Sequence, residues 1–153
     1  MNFILDTNII SALRSSMPDE NLLDWFERTH DRHLFTSVMV IGELRKGIHL
    51  KRRRDPVAAD KLESWFGRVY RYVDRKILPV TEEIAEEWAT LSVPDPMPVV
   101  DGLIAATGLV HNYTVVTRNV RDFERTGVKL LNPFDPRLPA PGPAPHRRSP
   151  PPT

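Results

Sequence analysis

Phe3-Ile4-Leu5-Asp6-Thr7-Asn8-Ile9-Ile10 begins as three apolar residues and turns at once into polar residues suited to a helix start. Similar short apolar runs recur at Leu34-Phe35-Thr36, Ile77-Leu78-Pro79-Val80, Thr114-Val115-Val116-Thr117 and Val128-Lys129-Leu130-Leu131. These five runs read as strands. Helical patterns separate them, over Ile9 to Arg14, Asn21 to Arg28, Val38 to Leu50, Pro56 to Tyr72, Glu82 to Leu91 and Val99 to Val110. Strands too short and too apolar to face water, alternating with helices, imply an α/β fold whose five-stranded parallel sheet is covered on both sides. In such sheets the site lies at the carboxyl ends of the strands, which makes Asp6 the first residue to examine.

The 153 residues suit one domain, placed at residues 1–133, with a Pro-rich tail at 134–153. The tail holds a large share of the fifteen prolines and cannot build a packed core. It reads as polyproline or disordered chain, made weakly basic by His146-Arg147-Arg148. No internal repeat is visible. The absence of cysteine excludes disulfides, thiolate nucleophiles and sulfur-built zinc sites, so any metal must be held by oxygen or imidazole. No apolar run approaches the roughly 20 residues of a membrane span, and Met1-Asn2-Phe3-Ile4-Leu5-Asp6 lacks the basic flank and long apolar core of a signal peptide. The cytoplasm is the expected compartment.

The net charge of +1 hides two blocks. From Arg45 to Lys76 eleven Lys or Arg face four acids, including the run Lys51-Arg52-Arg53-Arg54, whereas Thr81 to Asp101 holds six acids and no Lys or Arg. A basic flank beside an acidic centre suits an enzyme that attracts phosphate and holds metal, and it is equally the pattern of a solvated helix face.

Four acids carry the functional reading, and each has a bland alternative. Asp6 follows the first strand and serves either as a helix cap or as a functional carboxylate. Glu43 borders the apolar stripe of Val40, Ile41, Leu44 and Ile48, where a rim glutamate is also ordinary. Asp101 is the one charge in Pro96 to Val110, so it requires either a positive partner or the helix dipole. Asp122, after the fourth strand, either completes the cluster or caps the turn and pairs with Arg118 or Arg121. Topology brings all four to one edge. Carboxylates converging within ~4 to 5 Å repel by roughly 4 kcal/mol per pair at an effective dielectric near 20, and so need a divalent cation. Oxygen ligands favour Mg²⁺ or Mn²⁺. The histidines read as surface residues.

Four segments in order resemble the PIN-domain family, and within it the VapC and FitB-like toxins of bacterial toxin–antitoxin pairs. They are Ile4-Leu5-Asp6-Thr7-Asn8-Ile9-Ile10, Val40-Ile41-Gly42-Glu43-Leu44-Arg45-Lys46-Gly47, Asp101-Gly102-Leu103-Ile104-Ala105-Ala106-Thr107 and Val116-Thr117-Arg118-Asn119-Val120-Arg121-Asp122-Phe123. The resemblance implies a three-layer α/β/α domain and a homodimer. It also implies Mg²⁺- or Mn²⁺-dependent cleavage of RNA, tRNA or mRNA, by a metal-activated water, and neutralisation by a small antitoxin. By matching positions, Asp6, Glu43 and Asp101 would hold metal, with Thr7, Asn8 and Thr117 ordering the site. The fourth acid of many relatives is here Asn119, so either Asp122 substitutes or three acids suffice. Lys51, Arg52, Arg53 and Arg54 would hold the RNA backbone. Two rival readings are an aspartyl phosphatase, disfavoured because Asn8 stands where a second acid is wanted, and a catalytically weak binding module in a transcription-repressing complex with its antitoxin.

Overall fold

The computed structural model describes residues 1–136. Its five strands, β1 (Phe3–Leu5), β2 (Leu34–Ser37), β3 (Ile77–Leu78), β4 (Thr114–Val116) and β5 (Leu130–Leu131), form one sheet in the order β3-β2-β1-β4-β5. Every neighbouring pair is parallel. Ile4 and Leu5 point to opposite faces and are 0% and 3% exposed, so both faces are covered. The helices are α1 (Thr7–Ala12), α2 (Glu20–Arg28), α3 (Val38–Arg52), α4 (Pro56–Val73), α5 (Glu82–Leu91), α6 (Val99–His111) and α7 (Val120–Phe123). The result is the three-layer α/β architecture with a five-stranded parallel sheet that the sequence pattern implies.

Local chemistry sets the element ends. Asp19 accepts from the N–H groups of Asn21 and Leu22 to start α2, Ser37 from Met39 to start α3, and Thr81 from Ile84 to start α5. Pro56 opens α4 behind an Asp55 cap. Asn112, at φ 57°, closes α6 in the left-handed conformation that Asn tolerates.

Several details differ from the sequence reading. The first helix starts at Thr7 and not Ile9, because the Asp6 side chain accepts from the Thr7 N–H. The third strand stops at Leu78, since Pro79 brings no N–H to a ladder. The turn expected after β4 contains the single helical turn α7. At the other end of the chain, Pro133 is buried and Phe134, assigned by sequence to the tail, packs against the core. The expectation for the tail beyond Pro136 lies outside the described residues.

The strand order reverses between β1 and β4, since β1 leads to β2 and β3 on one side while β4 and β5 lie on the other. Right-handed crossovers then place the connecting helices on opposite faces and leave a crevice at the carboxyl ends of β1 and β4. Among the described residues no helix is long and apolar enough to cross a membrane.

Candidate active site

Asp6 leaves β1 at this crevice, and Thr117 leaves β4 directly beside it. The Asp6 backbone N–H donates to Val116 O at 3.0 Å, which ties the two strand ends together. Both residues are buried, Asp6 at 4% and Thr117 at 0% exposure. A buried carboxylate needs donors, and Asp6 has three: Thr117 Oγ1 at 2.8 Å and Asn8 Nδ2 at 3.3 Å on one oxygen, the Thr7 N–H at 2.8 Å on the other. Burial nevertheless outweighs them and raises the Asp6 pKa, with the Glu43 charge pushing the same way.

Glu43 comes from the second turn of α3. Thr7 Oγ1 donates to its Oε1 at 2.8 Å, so α1 and α3 meet through a side-chain pair thirty-six residues apart. Asp101 stands in the first turn of α6. A helix N-terminus favours a carboxylate by up to ~1 kcal/mol at the surface, yet the Asp101 pKa is pushed up to about 6. Burial is the largest cause, followed by the charges of Asp6, Glu43 and then Asp122. Asp122, exposed on α7, therefore belongs to the same electrostatic neighbourhood. No hydrogen bond contributes to the shift of Asp101, whereas Asp6 and Glu43 are tied down by neighbours.

Asn119 contributes through its backbone. Its N–H donates to Thr117 Oγ1 at 3.1 Å, while its side chain makes no capping bond to α7. The Arg118 N–H donates to Asn8 Oδ1 at 3.1 Å, and Asn8 Nδ2 also reaches Thr117 Oγ1 at 3.2 Å. These two backbone donors escaped the sequence reading, because every residue carries an N–H and spacing alone does not say where it points.

Gly102, next to Asp101, explains how α6 is seated. A Cβ there would lie 2.9 Å from Cδ1 of Trp88, so only glycine lets α5 close over the start of α6.

The basic run lies at the other end of α3. Lys51 follows Glu43 by eight residues, about 12 Å along the helix at 1.5 Å per residue. Lys51, Arg53 and Arg54 line an open cleft of about 590 Å³ with Gly47 and Leu50. Arg52 is different: its guanidinium binds Asp60 at 2.8 Å and Glu63 at 3.3 Å, and Arg45 pairs with the same Glu63. Arg52 thus joins α3 to α4, and three of the four predicted cations face the cleft. His30, His49 and His111 are exposed, and His33 sits 2.8 Å from Asn2 at the amino ends of the strands, away from the acids.

The donor set suits a hard divalent cation in ligand type and charge: oxygens alone, on acids whose mutual repulsion adds to burial in raising the Asp101 pKa. As the side chains lie, no three acids among the described residues are grouped to hold one ion, so chelation requires rotation. Asp101, unlike Asp6 and Glu43, has no hydrogen bond to break.

Comparison with known proteins agrees with this architecture. The family described as PIN domain matches residues 3–129. The VapC ribonuclease Y4jK of Sinorhizobium fredii is 30% identical over 140 residues, covering 87% of this chain and 98% of that protein. Plasmid stability protein StbB of Pseudomonas syringae is 31% identical, covering 86% and 98%. Among solved structures, FitAB bound to a DNA fragment aligns with a TM-score of 0.79 at 25% identity, over 89% of this chain and 98% of that one. FitAcB from Neisseria gonorrhoeae aligns at 0.77 with 27% identity, over 86% and 98%.

Proposed function

The chain belongs to the PIN-domain family, and from that premise we propose that it is a Mg²⁺- or Mn²⁺-dependent endoribonuclease, the toxin of a cytoplasmic toxin–antitoxin pair. The observation that carries the reading is the meeting of acids from separate elements at the β1/β4 crevice, Asp6 after β1, Glu43 on α3 tied to Thr7, and Asp101 in the first turn of α6, where burial and then the other acids raise the Asp101 pKa. Three acids from other elements, up to ninety-five residues away in sequence, act on one carboxyl at the β1/β4 crevice. A purely structural cluster of that kind would cost stability with nothing to offset it.

Asp6, Glu43 and Asp101 would hold the ion, with Asp122 as the fourth acid in place of Asn119. Bound there, Mg²⁺ or Mn²⁺ supplies Lewis acidity toward the scissile phosphate and lowers the pKa of water near it. The chain supplies orientation and charge. Thr117 and Asn8 fix one oxygen of Asp6, the Thr7 N–H fixes the other, and the Thr7 hydroxyl holds Glu43, so the buried Asp6 and the half-buried Glu43 keep one rotamer each. Asn119 holds Thr117 through its N–H and leaves its amide free toward solvent. Lys51, Arg53 and Arg54 hold RNA backbone, tRNA or mRNA, about 12 Å from Glu43 along α3, and Arg52 keeps that end of α3 fixed on α4. A small antitoxin completes the assembly, a reading supported by the FitAB structure, and a second copy of the chain joins it as the family resemblance implies.

Purified protein incubated with structured RNA and Mg²⁺ or Mn²⁺ should cut it, and Asp6→Asn and Asp101→Asn should not. Absence of cutting with either metal, or equal cutting by the variants, refutes the enzyme reading and leaves a binding module.

A further inference from the structure

Arg118 follows Thr117 at the carboxyl end of β4, and its backbone is built into the acid site. Its N–H donates to Asn8 Oδ1, and Asn8 in turn reaches Asp6 Oδ2 and Thr117 Oγ1 through Nδ2. The Arg118 side chain takes no part in that network. Its guanidinium lies over the ring of Phe134, 4.4 Å from the centroid. Phe134 is itself held in place: it packs against the core, its N–H donates to Asn132 Oδ1 at 3.0 Å, and its carbonyl accepts from Asn21 Nδ2 at 3.3 Å.

The charge on this stack is unspent. Arg118 is exposed, and among the described residues its guanidinium makes no hydrogen bond and no ion pair. Pairing with Asp122, one of the alternatives raised by the sequence, does not occur. Arg52 shows the contrast, with Asp60 and Glu63 both on its guanidinium. An arginine stacked on an aromatic face keeps N–H groups that match the oxygens of a phosphate, and a side chain already ordered loses less freedom when it binds. Position completes the case. The Thr117 N–H donates to Leu131 O at 3.0 Å, so β5 ends level with Thr117, and Phe134 follows three residues later. The axes of β1 and β5 are two strand spacings apart, roughly 10 Å. The guanidinium therefore belongs to the β4/β5 side of the acid cluster, beside the carboxylates and not on them.

We propose that Arg118 binds a phosphate of the substrate strand next to the scissile one, with Phe134 as the platform that pre-orders its guanidinium. The proposal rests on the ribonuclease reading of the site. Lys51, Arg53 and Arg54 line their cleft at the far end of α3, so Arg118, coming from β4, gives the strand a second point of attachment close to the acids. The competing role is structural: the stack would pin the chain after β5 to the fold and do nothing else.

The test compares wild type with Arg118→Gln and Phe134→Leu, with single-stranded RNA as substrate. Arg118→Gln keeps the backbone N–H that holds Asn8. One lost phosphate contact reduces the log–log salt slope by about 0.7 on a single strand, so the ratio of apparent affinities at 50 and 200 mM salt narrows by about 2.6-fold. KM at 50 mM salt rises about 5-fold or more, the size of one lost charge-assisted hydrogen bond, and kcat is unchanged. Phe134→Leu keeps the charge and hence the salt slope, and KM rises about 2- to 5-fold as the guanidinium loses its platform. Unchanged KM and salt slope in an Arg118→Gln protein that cuts RNA overturns the proposal and leaves the ribonuclease intact, and lowered stability in urea with that result assigns the stack to structure alone. A rise in KM without a change of salt slope in Arg118→Gln overturns it as a distortion of the site. A fall in kcat at constant KM overturns the choice of a neighbouring phosphate. Failure of the wild-type chain to bind or cut RNA overturns both readings together.

Discussion

Replacing Asp101 by Asn should stabilise the metal-free protein while abolishing its activity. The carboxyl is pushed from 3.8 to about 6 by burial and by Asp6, Glu43 and Asp122. A difference of about 2 pH units at 1.36 kcal/mol each is about 3 kcal/mol, reduced to about 2 kcal/mol by solvent screening of a partly exposed group. The folded carboxyl binds its proton more tightly than the unfolded one. The cost is therefore absent below about pH 4, grows as pH rises toward about 6, and is complete by about pH 8. An amide of the same shape carries no charge at any of these values. Urea or thermal unfolding in EDTA should show Asp101→Asn ahead by about 2 kcal/mol at pH 8, some 5 to 8 °C for a domain of this size, and level with wild type near pH 4. Mg²⁺ should reverse the order at pH 8: at one hundred times its Kd it adds about 2.7 kcal/mol to wild type and less to the variant. A variant less stable than wild type at pH 8 in EDTA, or a difference independent of pH, would refute the reading of Asp101 as a carboxylate penalised by burial and by neighbouring like charge.

Thr117→Val keeps shape and burial but removes the donor to Asp6 and the acceptor of the Asn119 N–H, so stability should fall by about 1 to 3 kcal/mol in urea unfolding. Because that hydrogen bond lowers the Asp6 pKa, the acid limb of the pH–rate profile should also move to higher pH, which a loss of packing alone would not produce. Replacing Lys51, Arg53 and Arg54 together by Gln should flatten the salt dependence of RNA binding by about 2 on the log–log scale, whereas Arg52→Gln should leave that slope unaltered, its charge being already engaged by Asp60 and Glu63. Gly108→Ala should destabilise by about 1 to 3 kcal/mol in the same unfolding assay, since its Cβ would stand 2.6 Å from Val128 Cγ2 and 3.1 Å from Val115 Cγ2, where α6 presses on β4.

The parts of the fold that were legible are those whose pattern has only one physical solution. Ile4 and Leu5 are adjacent and both apolar, which in a strand means burial on both faces, and that alone demands helices above and below. The short α7 was not legible, because four residues complete one turn and leave no periodicity to detect. The ion pairs of Arg52 were not legible for a related reason. Nothing in Lys51-Arg52-Arg53-Arg54 distinguishes its members, and only the return of α4 brings Asp60 and Glu63 against one of them.

The acids show a different kind of limit, since for two of them the bland reading holds and the proposed functional one is compatible with it. Asp6 does accept the first N–H of α1, and it is also the buried carboxylate of the cluster. Asp101 does occupy the first turn of α6, where the dipole favours a negative charge by up to about 1 kcal/mol. Spacing in sequence cannot rank such effects, because the competing effects are burial, the larger, and repulsion from acids whose distance is set by strand order. The reversal between β1 and β4 is what settles the ranking: it places the ends of both strands in one crevice, brings α6 and α3 to its rim, and leaves Asp101 with a pKa of about 6 despite the dipole. A sheet in the order of the sequence would have separated β1 from β4 by two strands, roughly 15 Å between their axes, and the same residues would then have been caps and rim charges and nothing more.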